Sequence, residues 1–271
     1  MSEVRWVDLG WPAVLDFSGP DAVRFLNGQV TQDVRRVVGT GRCVWSCVTD
    51  ARGKLQFRVK LMEVEGGVIR VVADEGVGEV LEARLTRYLI ADDVEVGNRS
   101  GEFRLIHVLG EAVGEVKGVK WVACDRFGVP GMDGWVAAGE VVDFPGREMG
   151  VEEVEELRIS NGVPAWGREL TEGMLPPEAG LEGTDIAYDK GCYIGQEVIS
   201  RIKSAGKVNR SLVRLVVPEG GAVEVGEVTD AEGKVLGEIT SVGPIAVGGV
   251  RPVLGYVKRG VEPERLLRLP G

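Results

Sequence analysis

The sequence contains only one histidine in 271 residues, His107. A zinc site built on several histidines is therefore excluded, and a serine or cysteine triad could use only this side chain. His107 lies in the segment FRLIHVLG and alternates with Phe103, Leu105 and Leu109. This spacing places His107 on the apolar face of a strand, and we interpret it as a core residue.

Cysteine is scarce as well. The four cysteines are Cys43, Cys47, Cys124 and Cys192, and no two of them form a Cys-x-x-Cys pair. The first residues, MSEVRWVDLGW, lack the pattern of a signal peptide. Free thiols in a reducing cytosol are therefore expected rather than a disulfide framework. Cys43 and Cys47 lie four residues apart on one face of a strand, and we expect them to pack in the core rather than to bind a metal.

Long apolar runs and an excess of positive charge are also missing. No apolar segment approaches the roughly 18 residues that a membrane span requires. The chain carries 42 acidic and 32 basic residues, a formal net charge of −10. A surface that wraps nucleic acid is therefore excluded. We expect a cytoplasmic protein with no membrane association and no direct binding of nucleic acid.

No phosphate-binding loop occurs in the sequence. The segment GVGEVL at 76–81 resembles a dinucleotide-binding turn, because it follows a strand and opens a helix. Leu81 replaces the third glycine, and Asp74 and Glu75 would repel a pyrophosphate. The segment is therefore interpreted as an ordinary strand-to-helix turn.

The order of the elements predicts an α+β region followed by a smaller β domain. Strands and helices interleave over residues 1–210, which is typical of α+β proteins. The residues after 210 form short apolar strands separated by glycines, and this pattern predicts a small β-barrel or sandwich over 211–271. Strands are predicted at 43–49, 55–64, 68–73, 103–109 and 119–124, and helices at 18–27 with Ser18 as the cap, at 77–90 and from Val151 onward. The segment 162–189 is predicted to be a loop.

One cysteine lies in a different setting, in the segment DKGCYIGQEVISR at 189–201. Cys192 sits between Gly191 and Gly195, and Lys190 precedes it by two residues. If a helix begins at Gly195 or Gln196, its free N–H groups and the Lys190 charge would both lower the pKa of the thiol. The alternative is a glycine-rich turn whose cysteine only fills space, and the spacing alone does not decide between the two.

The next ten residues, RIKSAGKVNR, carry four basic side chains and no acid. These are Arg201, Lys203, Lys207 and Arg210. A phosphate or polycarboxylate ligand would be attracted to such a run. The alternative is a solvated linker in front of the β domain.

These residues resemble a known family. KGCYIGQE, together with LRISNGVPAWGREL, LPPEAGL, GKVNRSL and FSGPDAVRFLNGQVTQDV at 17–34, is similar to the signature of the YgfZ-type folate-binding proteins. Those proteins are relatives of the glycine-cleavage T-protein, an aminomethyltransferase. The matched segments cover roughly half of the chain, and residues 85–150 add little to the match.

The resemblance implies a fold and a role. The fold is a folate-binding α+β domain of two similar interleaved subdomains, followed by a small C-terminal β-barrel. The role is that of a tetrahydrofolate-binding factor that assists assembly or repair of iron–sulfur clusters, with an indirect effect on tRNA-modifying iron–sulfur enzymes. Its partners would be folate and either iron–sulfur client proteins or the assembly machinery.

The same resemblance marks out the site residues. Cys192 is the candidate functional thiol, and no resident metal is expected. One cysteine cannot hold a four-thiolate cluster, so Cys192 would act transiently or together with a partner. The other motif or ligand-binding residues are Lys190, Gly191, Tyr193, Gly195, Gln196, Glu197, Arg201 and Lys203.

Two departures from the T-protein bear on activity. By ungapped matching, the catalytic aspartate of the T-protein falls on Phe57, and a glutamate that holds the pterin falls on Ser160. A phenyl ring cannot accept a proton, and a serine lacks the paired acceptors of a carboxylate. Loss of transferase chemistry is therefore expected, and loss of the glutamate weakens the case for tight pterin binding.

Three functions compete at this point. The first is the cluster-maintenance factor with a folate site. The second is an active folate-dependent one-carbon transferase, in which Asp50 or Asp185 would replace the missing acid. The third is an interaction protein that keeps the scaffold and binds neither folate nor cluster.

Overall fold

A computed structural model describes residues 3–110, 116–206, 208–246 and 248–267. The chain forms two compact units. The first combines residues 1–149 with residues 182–196, and the second combines residues 150–181 with residues 197–271. The domain boundary predicted between residues 210 and 211 stays a prediction.

The first unit contains two five-stranded sheets. One sheet has the strand order β3-β4-β5-β2-β6, and the other has the order β10-β1-β7-β9-β8. The elements are β1 (Arg5–Asp8), β2 (Ala13–Ser18), α1 (Ala22–Gln29), β3 (Cys43–Thr49), β4 (Leu55–Val64), β5 (Val68–Ala73), α2 (Gly78–Thr86), β6 (Glu95–Asn98), β7 (Phe103–Leu109), β8 (Val119–Ala123), β9 (Gly131–Ala137) and β10 (Arg147–Glu148). All strand pairs are antiparallel except that of β1 with β10.

Strand alternation gives the first sheet two buried faces. Leu15 and Phe17 of β2 pack with Leu26 of α1 in one hydrophobic cluster. Val14, on the opposite face of the same strand, packs with Trp135 of the second sheet in another cluster. Because successive side chains point to opposite faces, one strand serves both the helix layer and the sheet-to-sheet contact.

The second unit contains two helices and a four-stranded antiparallel sheet of order β11-β14-β13-β12. Its elements are α3 (Val151–Ser160), α4 (Gln196–Ala205), β11 (Arg210–Pro218), β12 (Gly226–Thr229), β13 (Val235–Val242) and β14 (Val250–Lys258). Val217, Ile239 and Val253 are in the core of this sheet. Its predicted closure into a barrel stays a prediction, as does the interleaving of two subdomains.

Several sequence predictions are confirmed, and two predicted helix boundaries are wrong. The predicted strands within 43–124 all form, and α3 begins at Val151 as predicted. Ser18 does not cap α1, because it is the last residue of β2 and the helix is preceded by Asp21. The second helix ends at Thr86, and Ile90 beyond it is 89% exposed. Among the described residues, no helix is long and apolar enough to cross a bilayer.

Candidate functional site

The segment 182–196, which carries the KGCYIGQE motif, lies against residues 27–32 of the same unit. Thr31 Oγ1 donates a hydrogen bond to the backbone carbonyl of Asp185 over 2.6 Å. The backbone N–H of Ala187 donates to the carbonyl of Thr31 over 3.0 Å. Two separate parts of the chain that carry the family resemblance are therefore in direct contact.

The end of this segment is fixed by a second set of contacts. Thr49 Oγ1 donates to the carbonyl of Ile194 over 2.6 Å. Gly195 has a φ of +88°, and a Cβ there would lie 2.6 Å from the carbonyl oxygen of Asp50. No other residue type fits this position without a shift of the backbone. At Gly191, in contrast, φ is not positive and a Cβ would meet nothing within 4 Å, so only Gly195 of the two positions requires a glycine.

Lys190 anchors the middle of the segment from within. Its Nζ donates to the carbonyl of Val30 over 2.8 Å and to that of Gln32 over 2.7 Å. Burial lowers the pKa of Lys190 to about 7; Asp33 opposes this shift and Arg35 adds to it. The amine is therefore about half neutral at pH 7 and engaged with two carbonyls. This differs from the expectation that Lys190 places a full positive charge beside the thiol.

Lys190 should make the stability of the protein depend on pH. Its pKa is about 7 in the folded protein and 10.5 ordinarily. Between these values the unfolded chain binds more protons, so the contribution of Lys190 to the free energy of unfolding should rise with pH, by up to about 1.4 kcal/mol per unit. Urea denaturation of the wild type and of Lys190→Met at pH 7, 8.5 and 10 measures the difference. Parallel pH profiles for the two proteins would show that Lys190 has an ordinary pKa.

The cysteine of the motif is exposed, whereas the residue that follows it is buried. Cys192 lies at the surface, and Tyr193 is 7% exposed. The ring of Tyr193 lies 5.1 Å from the Nζ of Lys190. Tyr193 Oη is buried without a hydrogen-bond partner among the described residues, and burial, with a further effect of Cys47, raises its pKa to about 12. The segment therefore presents an accessible thiol between anchored neighbours.

A buried ion pair beneath the segment was not foreseen from the sequence. Arg58 donates to both carboxylate oxygens of Asp185, over 2.7 and 3.2 Å, and the two side chains are 9% and 0% exposed. Thr184 Oγ1 donates to the same carboxylate over 2.5 Å, and Cys47 Sγ lies 3.9 Å from it. Burial first, and the Asp185 charge second, raise the pKa of the Cys47 thiol. No local spacing indicates this pair, because 127 positions separate its members.

Neither carboxylate considered as a replacement for the transferase acid is free. The oxygens of Asp185 are occupied by Arg58 and Thr184. Asp50 Oδ1 accepts the backbone N–H groups of Arg52 and Lys54, each over 2.8 Å, and so holds the turn between β3 and β4. Both aspartates therefore stabilise the fold locally, and either would lose hydrogen bonds on taking up a proton.

The two positions that differ from the T-protein, Phe57 and Ser160, both make contacts within the fold. Phe57 lies opposite Val48 in the β3–β4 ladder and packs against the core beneath α1 and α2. Ser160 ends α3, and its Oγ donates to Glu156 Oε1 over 2.9 Å. Glu156 is 7% exposed and also accepts the N–H of Ile245 over 3.3 Å. The carboxylate of Glu156 lies one helical turn from Ser160 and already accepts these two hydrogen bonds. Its place near Ser160 was not noticed in the sequence.

The basic residues after the motif are less available to bind an anionic ligand than the sequence suggested. The helix α4 begins at Gln196, as predicted. Within it, Arg201 forms an ion pair with Glu197 over 2.6 Å, and the two side chains are 72% and 84% exposed. Lys203 lies at the surface of the same helix. The positive potential of Arg201 is therefore reduced by a predicted site residue from the motif itself.

The remaining two bases of this run differ in position. Lys207 lies outside the described residues. Arg210 starts β11 and pairs with Glu178 over 3.2 Å, and its guanidinium lies 4.2 Å from the centre of the Tyr256 ring. Arg210 therefore packs within the second unit rather than extending into solvent.

Comparison with known proteins gives relatives at low identity. No family model matches the chain. An aminomethyltransferase of Streptomyces avermitilis is 25% identical over 294 residues, covering 94% of this chain and 78% of the relative. A mitochondrial iron-sulfur cluster assembly factor IBA57 homolog of Phaeosphaeria nodorum is 26% identical over 226 residues. That match covers 78% of this chain and 55% of the relative, so the chain spans about half of the assembly factor's length.

The fold is similar to that of a solved aminomethyltransferase. The crystal structure of the glycine cleavage system aminomethyltransferase T from Bartonella henselae aligns with a TM-score of 0.76 and 17% identity. The alignment covers 95% of this chain and 79% of that protein. The predicted resemblance is confirmed: the chain is similar in sequence to aminomethyltransferases and to an iron-sulfur cluster assembly factor homolog, and it shares the fold of an aminomethyltransferase T.

Proposed function

We propose that this protein is a tetrahydrofolate-linked factor that assists the assembly or repair of iron–sulfur clusters, without aminomethyltransferase turnover. The observation that carries the proposal is the exposed thiol of Cys192. Lys190 before it and Ile194 after it are bonded to the residues beneath. An accessible thiol held in this way suits transient contact with a metal centre that a partner protein also binds.

The side chains present support the proposed loss of transferase chemistry. Phe57 occupies the position that the resemblance assigns to the catalytic carboxylate, and it is partly buried against the core. Asp50 and Asp185, the alternatives, are held by backbone N–H groups and by Arg58. A developing ammonium would therefore find no free anion among these three positions to stabilise it.

Folate binding rests on the family and on one unpaired group. Tyr193 Oη is buried without a partner among the described residues, and such an atom fits a polar group of a bound ligand. Tetrahydrofolate would supply a carrier for one-carbon units. Tyr193 would hold its ring system.

Tetrahydrofolate should bind weakly, and polyglutamyl forms should bind better. Arg201 is largely exposed and paired with Glu197, so its contribution should be modest and should shrink as salt rises, since the Debye length falls from about 10 Å at 0.1 M to about 3 Å at 1 M. Calorimetric titration with mono- and pentaglutamyl tetrahydrofolate at both salt levels measures this. Equal affinities at low salt, or no effect of replacing Arg201 and Lys203 by alanine, would show that the basic run is only a solvated surface and does not bind the folate tail. No binding of either form would favour the third function, an interaction protein without folate.

Aminomethyl transfer should be undetectable. Purified protein, supplied with an aminomethyl-lipoyl donor and tetrahydrofolate, should form methylene-tetrahydrofolate no faster than the same mixture without protein. An authentic T-protein in a parallel reaction is the control for the donor. Sustained turnover would falsify the assignment and favour the one-carbon transferase.

Several finer elements belong to the same proposal. The assembly factor among the relatives gives the iron–sulfur connection. A cytoplasmic location is expected from the free, scattered cysteines. Contact with iron–sulfur client proteins or assembly machinery, and an indirect effect on tRNA-modifying iron–sulfur enzymes, follow from the family resemblance. Each would be tested by the response of client enzymes to loss of this protein.

A further inference from the structure

A second group of reactive side chains lies in the first unit, at the edges of its two sheets. Cys43 opens β3, an edge strand of one sheet, and Cys124 follows β8, an edge strand of the other. The residues before them, Arg42 and Ala123, form a parallel β-bridge, and the N–H of Ala123 donates to the carbonyl of Gly41 over 3.3 Å. The two cysteines are therefore adjacent across this bridge.

The side chains of these cysteines meet over a buried lysine. The Sγ atoms of Cys43 and Cys124 lie within 4.8 Å of each other and of a carboxylate oxygen of Asp133. Lys60 is 1% exposed, and its Nζ lies 2.5 Å from Cys124 Sγ and 4.1 Å from the centre of the Trp45 ring. The positive charge of a buried lysine next to a thiol stabilises the thiolate form of that thiol.

The surroundings disfavour a bound divalent cation. Asp133 Oδ1 is shared by His107 Nδ1 at 2.8 Å and Arg126 Nε at 2.7 Å, and Oδ2 accepts from Arg126 Nη2 at 2.7 Å. Both oxygens are therefore occupied. Arg126 and Lys60 would in addition repel a cation placed between the thiols.

The two thiols are not equivalent. Cys43 is half-buried, whereas Cys124 is buried. The pKa of Cys43 is lowered, first by a hydrogen bond from Cys124 and also by the charge of Lys60, whereas burial raises the pKa of Cys124. Cys43 is therefore both the more accessible and the more acidic thiol of the pair.

We propose that Cys43 and Cys124 form a redox-active dithiol that a hydroperoxide converts to a disulfide. The Cys43 thiolate attacks the peroxide, so that an S–O bond forms, the O–O bond breaks and the alcohol or water leaves with a proton. The Cys124 sulfur then attacks Cys43 Sγ, so that the S–S bond forms and the hydroxyl group leaves as water. Two thiols are oxidised by two electrons and one peroxide is reduced, with Lys60 stabilising the Cys124 thiolate.

The other cysteines are poor partners for Cys43. Cys47 lies four residues further along β3, which corresponds to about 13 Å of extended strand. A disulfide requires Cα atoms no more than about 7 Å apart. The crosslink should therefore be specific for Cys124, and it would join the edges of the two sheets covalently.

The test uses the full chain with Cys192→Ser, which removes the exposed thiol. One equivalent of hydrogen peroxide at pH 7 is followed by alkylation, intact mass and non-reducing peptide maps. Alkylated thiols should fall from three to one, since the chain has four free cysteines, and a peptide pair joining Cys43 to Cys124 should appear. A phosphine reductant should reverse the change. In a further Cys124→Ser variant, Cys43 should stop at a sulfenic acid that dimedone traps.

The proposal is wrong if all three thiols can still be alkylated after peroxide, if Cys43 forms a disulfide with Cys47, or if Cys43 is overoxidised without a crosslink. It is also wrong if Lys60 and Cys124 become joined with a mass gain of one oxygen less two hydrogens. If Cys124→Ser fails to fold, the peptide map of the parent protein decides alone. The same map in the presence of zinc shows whether metal protects the thiols, and full protection by one equivalent would also contradict a dithiol.

Discussion

Replacement of Asp185 by asparagine should be among the most destabilising single changes in the first unit. The substitution keeps the shape of the side chain but removes the negative charge that the Arg58 guanidinium, 9% exposed, contacts over 2.7 Å. Loss of one partner of a buried pair typically costs about 3–5 kcal/mol, against a total stability of roughly 5–15 kcal/mol. Urea denaturation followed by tryptophan fluorescence, with Trp45 stacked 3.9 Å from Arg58, measures the loss.

Two control variants distinguish the stability contributed by this buried pair from the effect of removing any surface charge. Glu65→Gln removes the partner of Lys120 in a pair whose side chains are 84% and 71% exposed, and it should leave the unfolding midpoint unchanged. The double variant Asp185→Leu, Arg58→Met removes both charges and should recover part of the loss. A loss under about 1 kcal/mol for Asp185→Asn would show that the pair does not hold the motif segment in place.

Local periodicity predicted the strands and the starts of α2 and α3 for a physical reason. In β4, Leu55, Val59 and Leu61 are buried. They are separated by multiples of two residues, which places them on the same face of a strand. The helix start at Gln196 was likewise foreseen from the glycine turn before it. Such signals are confined to a few neighbouring residues, and so they can be found in a single sequence.

Long-range pairs carry no such signal. The contact of Thr31 with Asp185 spans 154 positions, and that of Lys60 with Cys124 spans 64. Lys60 alternates with apolar neighbours in β4, and its burial depends on contacts with Cys124 and Asp125, which follow β8. The error at Ser18 has a local cause, because β2 continues through the predicted cap and the helix begins only after Asp21.

The predicted motif lysine shows the same limit. Its place near the thiol is visible in the sequence, whereas its two carbonyl partners, Val30 and Gln32, are not. Those partners determine whether Lys190 acts as a free charge or as an internal anchor. The position of a residue was therefore predictable, whereas its protonation depended on contacts from another part of the chain.

Replacement of Cys192 by alanine should abolish function in cells and leave folding intact. The side chain is exposed, so its removal creates no cavity and breaks no buried contact. The unfolding midpoint should therefore match that of the wild type. Ser204→Ala is a matched control, because Ser204 is exposed and its hydroxyl bonds only the backbone of its own helix.

The central claim is that this thiol serves iron–sulfur clusters, and one measurement tests it most directly. The activity of an iron–sulfur dehydratase is measured in cells that lack this protein and carry the wild type, Cys192→Ala or Ser204→Ala at equal levels. We expect the wild type and Ser204→Ala to restore the dehydratase, while Cys192→Ala leaves it at the level of the deletion. Full restoration by Cys192→Ala would contradict the claim.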